Sequence, residues 1–207
     1  MWSPRLHGIN PRVVIALAVV GVSALGAIVL AAPKDEPAEP SETRRFEGAV
    51  LPRGLRAPDF NLTDQDGKRI SMRSLRGTPV IVTFLYTTCE DTCPTQAQQV
   101  KGVFEELGED VPAVAVAVDP PRDNQVRARA FLSEQRMTGR MSFALGTRSE
   151  LEPVWRGFAV QPQRDDLEHT GRMVLVDAKG RQRVGFPLQQ ATPERIAHDI
   201  RLLERGA

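Results

Sequence analysis

The sequence predicts an α/β domain with a mixed central sheet flanked by helices, preceded by one N-terminal transmembrane helix. Three observations carry this. Short β-branched runs alternate with stretches of helical apolar periodicity from about residue 60 onward. Two of the apolar runs fold back on themselves across Gly-containing turns, which adds antiparallel pairs to an otherwise parallel pattern. An uncharged run, Val13 to Ala32, is long enough to cross a bilayer.

Arg5, His7 and Arg12 precede that run, and basic residues on the leading side keep residues 1–12 in the cytoplasm. The reading is therefore a cytoplasmic leader at 1–12, an anchor at 13–32 and an extracytoplasmic remainder, hence a single-pass cell-membrane protein. A cleaved signal peptide is the rival, but its apolar core is ordinarily shorter. Residues 33–45, "PKDEPAEPSETRR", are rich in proline and charge and read as a disordered linker. The globular domain is expected over 46–207. Its 27 basic and 26 acidic residues leave a net charge of +1, with no single-sign field for nucleic acid to recognise.

Within the domain, "RAPDFNLTDQDGKRISM" contains two short alternating runs around Asp66 and Gly67, a hairpin pattern. It is not a calcium loop, because the further acidic positions and the terminal glutamate are missing. Pro79 to Tyr86 is apolar almost throughout, as a strand covered on both faces must be. Thr95 to Leu107 places Val100, Val103, Phe104 and Leu107 on one helical face. A strand at Ala113–Val118, a helix from about Asn124 to Gln135, a short strand near Met141–Ala144 and a helix around Glu150–Phe158 follow. "MVLVDAKGRQRVGF" is a second hairpin, turning at Lys179 and Gly180. The last helix, Pro193 to Glu204, buries Ile196, Ile200 and Leu203 and carries proline in its first turn.

Cys89 and Cys93 are the only cysteines, too few for a disulfide scaffold. They stand between the apolar strand and the helix after it, as a disulfide, a redox couple or half of a metal site. With Cys93 in the first helical turn, both sulfurs meet over the helix N-terminus, where free N–H groups and the dipole stabilise thiolate. Both thiols are therefore expected to be more acidic than a free cysteine.

Four side chains could complete a metal set. His7 is excluded by topology, and His198, beside Asp199 on the polar side of the last helix, reads as a solvated surface residue. His169, just before a strand, is the strong nitrogen candidate, against the alternative of an exposed loop histidine. Asp119 closes a central strand, where open α/β sheets place their sites, although a turn residue capping its own backbone explains it as simply. Met137, Met141 and Met173 are read as core filling.

"PVIVTFLYTTCEDTCP", "VAVDPPRD" and "LEHTGRMVLVDAKGR", at these separations, resemble the Sco/SenC copper chaperones of cytochrome c oxidase assembly. The likeness runs from about Ala57 to Leu203. It implies a thioredoxin-like fold that binds copper, as Cu(I) or Cu(II), through Cys89, Cys93 and His169, with Asp119 a further ligand of the oxidised ion. It also implies that the same cysteines form a disulfide. The implied partners are the copper-centre subunit of cytochrome c oxidase and proteins that donate copper or reduce the thiols. Glu90 departs from the usual proline and Glu168 from the usual aspartate before the histidine; neither removes a ligand. The donor set agrees with the resemblance: two thiolates and one imidazole suit Cu(I), whereas a structural zinc site wants a fourth protein ligand.

The main alternative is an enzyme, a thiol–disulfide oxidoreductase with Cys89 attacking and Cys93 resolving. Thioredoxin-type reductases, by resemblance, have two residues between the cysteines and a cis-proline where this chain has "EHTG". "FLYTTC" does not meet the Pro-x-x-x-Thr-x-x-Cys pattern of peroxiredoxins. A purely structural bridge is the last alternative, and it has no reason to sit beside a candidate ligand at a strand-to-helix corner.

Overall fold

The computed structural model describes residues 45–163 and 171–206. The expected leader, anchor and linker, and His169, lie outside these residues. Among the described residues no helix is long and apolar enough to cross a membrane.

Among the described residues eight strands and four α-helices follow one another: β1 (Ala49–Val50), β2 (Asn61–Thr63), β3 (Arg69–Ser71), β4 (Val80–Leu85), α1 (Thr92–Leu107), β5 (Ala113–Ala117), α2 (Gln125–Glu134), β6 (Ser142–Ala144), α3 (Arg148–Gly157), β7 (Arg172–Val176), β8 (Gln182–Pro187) and α4 (Pro193–Glu204). The main sheet has the order β1-β8-β7-β4-β5-β6, and β2 and β3 form a separate hairpin. β4, β5 and β6 run parallel, while β7 pairs antiparallel with β4 and β8 antiparallel with β7. The expected mixed sheet is thus present, joined by a short strand β1 that a two-residue run gives no periodicity to reveal.

All six residues of β4 are buried, as are all five of β5, which explains why these strands read as continuous apolar runs. Each large apolar side chain so enclosed contributes about 1.5–3 kcal/mol relative to leaving it in water. Phe84 meets Phe158 edge-on at 5.4 Å between ring centroids, and Phe131 meets Phe143 likewise at 6.0 Å. Met72, Met137, Met141 and Met173 are all buried in this core.

Both hairpin turns use the same chemistry. Asp64 Oδ1 accepts from the N–H groups of Asp66 and Lys68, and Asp177 Oδ1 from those of Lys179 and Arg181. Gly67 and Gly180 supply the positive φ each turn needs, +79° and +77°. Helices start by local rules as well: Asn124 caps α2, Thr147 and Glu150 form a capping box on α3, and Thr192 caps α4 ahead of Pro193.

One local reading fails. His198 is half-exposed as expected, but its neighbour Asp199 is fully buried, accepting from Glu47 N at 2.8 Å and Gly48 N at 3.0 Å. The carboxylate holds the chain entering β1 against α4, so Asp199 is a tertiary clasp and not a residue of the polar face.

Candidate metal and thiol site

β4 ends at Leu85, and the chain turns at once: the N–H of Cys89 returns to Tyr86 O at 3.3 Å. α1 then begins at Thr92, three residues before the apolar periodicity does. The reason lies in its N-cap. Asp91 makes no side-chain cap bond; the Cys93 N–H donates instead to Cys89 Sγ at 3.2 Å. The sulfur of one cysteine thus satisfies one of the free N–H groups at the start of the helix that carries the other. Thr92 Oγ1 stands 3.5 Å from the same sulfur.

These contacts split the two thiols apart. Burial pushes Cys89 upward, but hydrogen bonds from the Cys93 thiol, Thr92 and the backbone outweigh it and hold Cys89 below the ordinary thiol value. Cys93, wholly enclosed, is pushed well above that value by burial and by the adjoining Cys89. The expectation that both thiols are acidified is corrected for Cys93: the helix terminus favours its thiolate less than loss of water disfavours it. Both cysteines are free thiols here.

Asp119 follows β5, beside the exit of β4, and Val118 N bonds Leu85 O at 3.0 Å. Its carbonyl accepts from the N–H groups of Arg122 and Asp123, and its carboxylate is paired with Arg122. It stands in the turn after β5, and the carbonyl, not the side chain, takes these two backbone N–H groups. The residue that joins the two loops is Asp123, to which the sequence reading gave no role. Asp123 Oδ1 accepts from both Thr87 N and Thr87 Oγ1 at 2.7 Å, and Oδ2 accepts from Asp119 N at 3.1 Å. Burial raises its pKa to about 6 against these bonds. The Asp-x-x-x-Asp spacing was its only signal in the chain.

A second buried polar pair lies behind the cysteines. Thr83 Oγ1 donates to Gln96 Oε1 at 2.8 Å, both residues being fully enclosed. Gln96 is one helical turn beyond Cys93, and its Nε2 has no hydrogen-bond partner among the described residues. That nitrogen faces Gly171, where an added Cβ would lie 4.0 Å away.

His169 lies outside the described residues, but its flanks do not. Gln163 N bonds Val118 O at 3.0 Å at the end of β5. Gly171 precedes β7, whose Met173 pairs with Thr83 of β4. Both flanks therefore stand at the cysteine end of the sheet. Among the described residues no group of three or more His, Cys, Asp and Glu side chains is arranged to hold a metal ion. The two thiols supply soft donors, and a third ligand has to come from elsewhere.

Comparison with known proteins points one way. The family model described as SCO1/SenC matches residues 51–204. An SCO2-like protein of Rickettsia conorii is 27% identical over 148 residues, covering 66% of this chain and 71% of its own. The structure of Bradyrhizobium japonicum ScoI with copper bound is 32% identical, with a TM-score of 0.62, covering 72% of this chain and 99% of that one. BsSco, described as a member of the Sco family of cytochrome c oxidase assembly proteins with a disulfide switch, superposes with a TM-score of 0.66 at 23% identity, covering 77% and 99%.

Proposed function

The chain belongs to the SCO1/SenC family, and from that premise we propose that it is a membrane-anchored, extracytoplasmic copper chaperone serving the assembly of cytochrome c oxidase. Cys89 and Cys93 supply two sulfur donors and His169 an imidazole, a three-coordinate set matched to Cu(I); Asp119 is the oxygen ligand available on oxidation to Cu(II). The cargo is passed to the copper-centre subunit of the oxidase, after loading by a copper donor and reduction of the cysteines by an external thiol. The run 13–32 anchors the domain on the extracytoplasmic side. The observation that carries the reading is the shared helix start, in which Cys93 N–H bonds Cys89 Sγ at 3.2 Å, so that both sulfurs belong to one polar helix terminus. Copper bound to the Bradyrhizobium relative supports it.

The test is a Cu(I) titration of the reduced full chain in detergent against a chromophoric chelator, with Cys89→Ala, Cys93→Ala and His169→Ala. One tightly held equivalent that is lost in each variant supports the site. Affinity no better than that of a simple dithiol, unchanged by His169→Ala, overturns it.

The asymmetry of the thiols favours one second reading, a thiol–disulfide oxidoreductase. Cys89 thiolate attacks a substrate disulfide, forming a mixed disulfide and releasing one substrate thiolate. Cys93, once deprotonated, attacks Cys89 sulfur and frees the second substrate thiolate, leaving the Cys89–Cys93 disulfide and a substrate reduced by two electrons. Copper binding and this exchange use the same pair in different states and do not exclude one another.

A further inference from the structure

We infer that Asp123 is a positioning residue for Cys89, acting through Thr87 to set the reactivity of the site sulfur. A single carboxylate spans two loops. Its Oδ1 holds the Thr87 backbone and hydroxyl, both at 2.7 Å, while its Oδ2 is fixed by Asp119 N at 3.1 Å. Thr87 lies inside the turn closed by Cys89 N and Tyr86 O, and that turn delivers Cys89 Sγ to the Cys93 N–H. Charge-assisted bonds of this length fix their partners more firmly than neutral ones. Both the N–H and the hydroxyl of Thr87 go to this one carboxylate, so Asp123 ties the cysteine turn to the loop that leaves β5. The carboxylate does not touch either sulfur, which makes its influence geometric.

The inference deepens the proposed reading of this site, and metal-free thiol chemistry separates the two. The full chain in detergent, reduced and without copper, is alkylated with iodoacetamide at fixed pH, and the rate at Cys89 is read by peptide mass spectrometry. The midpoint potential of the Cys89–Cys93 couple is measured in glutathione buffers. Asp123→Ala and the near-isosteric Asp123→Asn are compared with Asp199→Asn, which removes a buried carboxylate clasp remote from the cysteines, and with Thr87→Val.

The expected result is an about tenfold change in the Cys89 rate in Asp123→Ala, with a shifted potential. Asp123→Asn, which keeps an acceptor for Thr87, recovers part of both. Thr87→Val combined with Asp123→Ala gives less than the product of the two single effects, because both act through one contact. If Asp123→Asn, folded by its circular dichroism, and Asp123→Ala move rate and potential no more than Asp199→Asn does, the inference is overturned. It is also overturned if the Thr87 and Asp123 effects multiply independently. Failure of Cu(I) binding with these thiol effects intact would sink the chaperone reading alone.

Discussion

The N–H of Cys93 donates to the sulfur of Cys89 at 3.2 Å, so one cysteine caps the helix that begins with the other. The bond favours negative charge on Cys89 and offers none to Cys93, which is the fully enclosed member of the pair. Limited iodoacetamide at pH 7 should therefore label Cys89 at least about tenfold faster than Cys93, read from peptide masses. Cys93→Ser should slow Cys89 only modestly, since the serine hydroxyl takes the place of the thiol donor and the backbone donor remains. Equal labelling of both sites in the folded protein would contradict the assigned acidities.

The Thr83–Gln96 pair offers a test of buried polarity near the site. Gln96 Nε2 has no hydrogen-bond partner among the described residues, and leaving such a group buried costs about 1–3 kcal/mol. Gln96→Met removes that cost but strands the Thr83 hydroxyl. Thr83→Val alone strands Gln96 Oε1 as well and should destabilise by about 1–3 kcal/mol. The double variant should then be as stable as the wild type or more so, a coupling that denaturant midpoints of the four proteins measure directly.

How far the sequence revealed this depended on how local the cause was. The hairpins at Asp66–Gly67 and Lys179–Gly180, and the bounds of α4, were legible because Asp, Gly, Thr and Pro act within a few residues of themselves. Apolar periodicity alone began α1 at Thr95, three residues late, whereas the placing of Cys93 in the first helical turn holds, with Cys89 Sγ accepting from its N–H. Asp123 and Asp199 escaped for a different reason: their partners lie 36 and more than 150 residues away in the chain. Cys93 was read as acidic because a helix terminus is visible in sequence and complete burial is not. Asp119 allows two readings in the sequence, and its carbonyl bonds to Arg122 and Asp123 and its ion pair with Arg122 do not choose between them.

Asp177 tests the acid side of stability. Burial pushes its pKa up, but bonds from the Arg181 backbone and guanidinium and from Lys179 N outweigh this and hold it below the usual carboxylate value. Its contribution is accordingly present above the unfolded carboxylate pKa and is lost as pH falls through the lower folded value. Asp177→Asn should destabilise the protein by about 1–3 kcal/mol at pH 7. The deficit should stay level down to about pH 4 and shrink below it, as denaturant midpoints between pH 5 and pH 2 would report. A deficit constant with pH would mean the carboxylate charge is not what holds the turn.

Asp123 should behave with the opposite sign. Its folded pKa is raised to about 6, chiefly by burial, so the native state holds this proton more tightly than the unfolded chain does. The stabilisation that protonation provides is complete below the unfolded value of 3.8 and disappears as pH rises through about 6. Of its three acceptor contacts the one to Asp119 N is the longest, 3.1 Å against 2.7 Å for both Thr87 bonds, so Oδ2 is the oxygen that takes the proton at least cost. Asp123→Asn carries no charge at any pH and removes this dependence. Subtracting its stability from that of the wild type cancels the other carboxylates, including Asp177. The difference should move against the wild type between pH 4 and pH 7, by roughly 3 kcal/mol at most. A difference that stays flat, or moves in the wild type's favour, would mean that Asp123 is ionised throughout the range and that its bonds to Thr87 and Asp119 outweigh its burial.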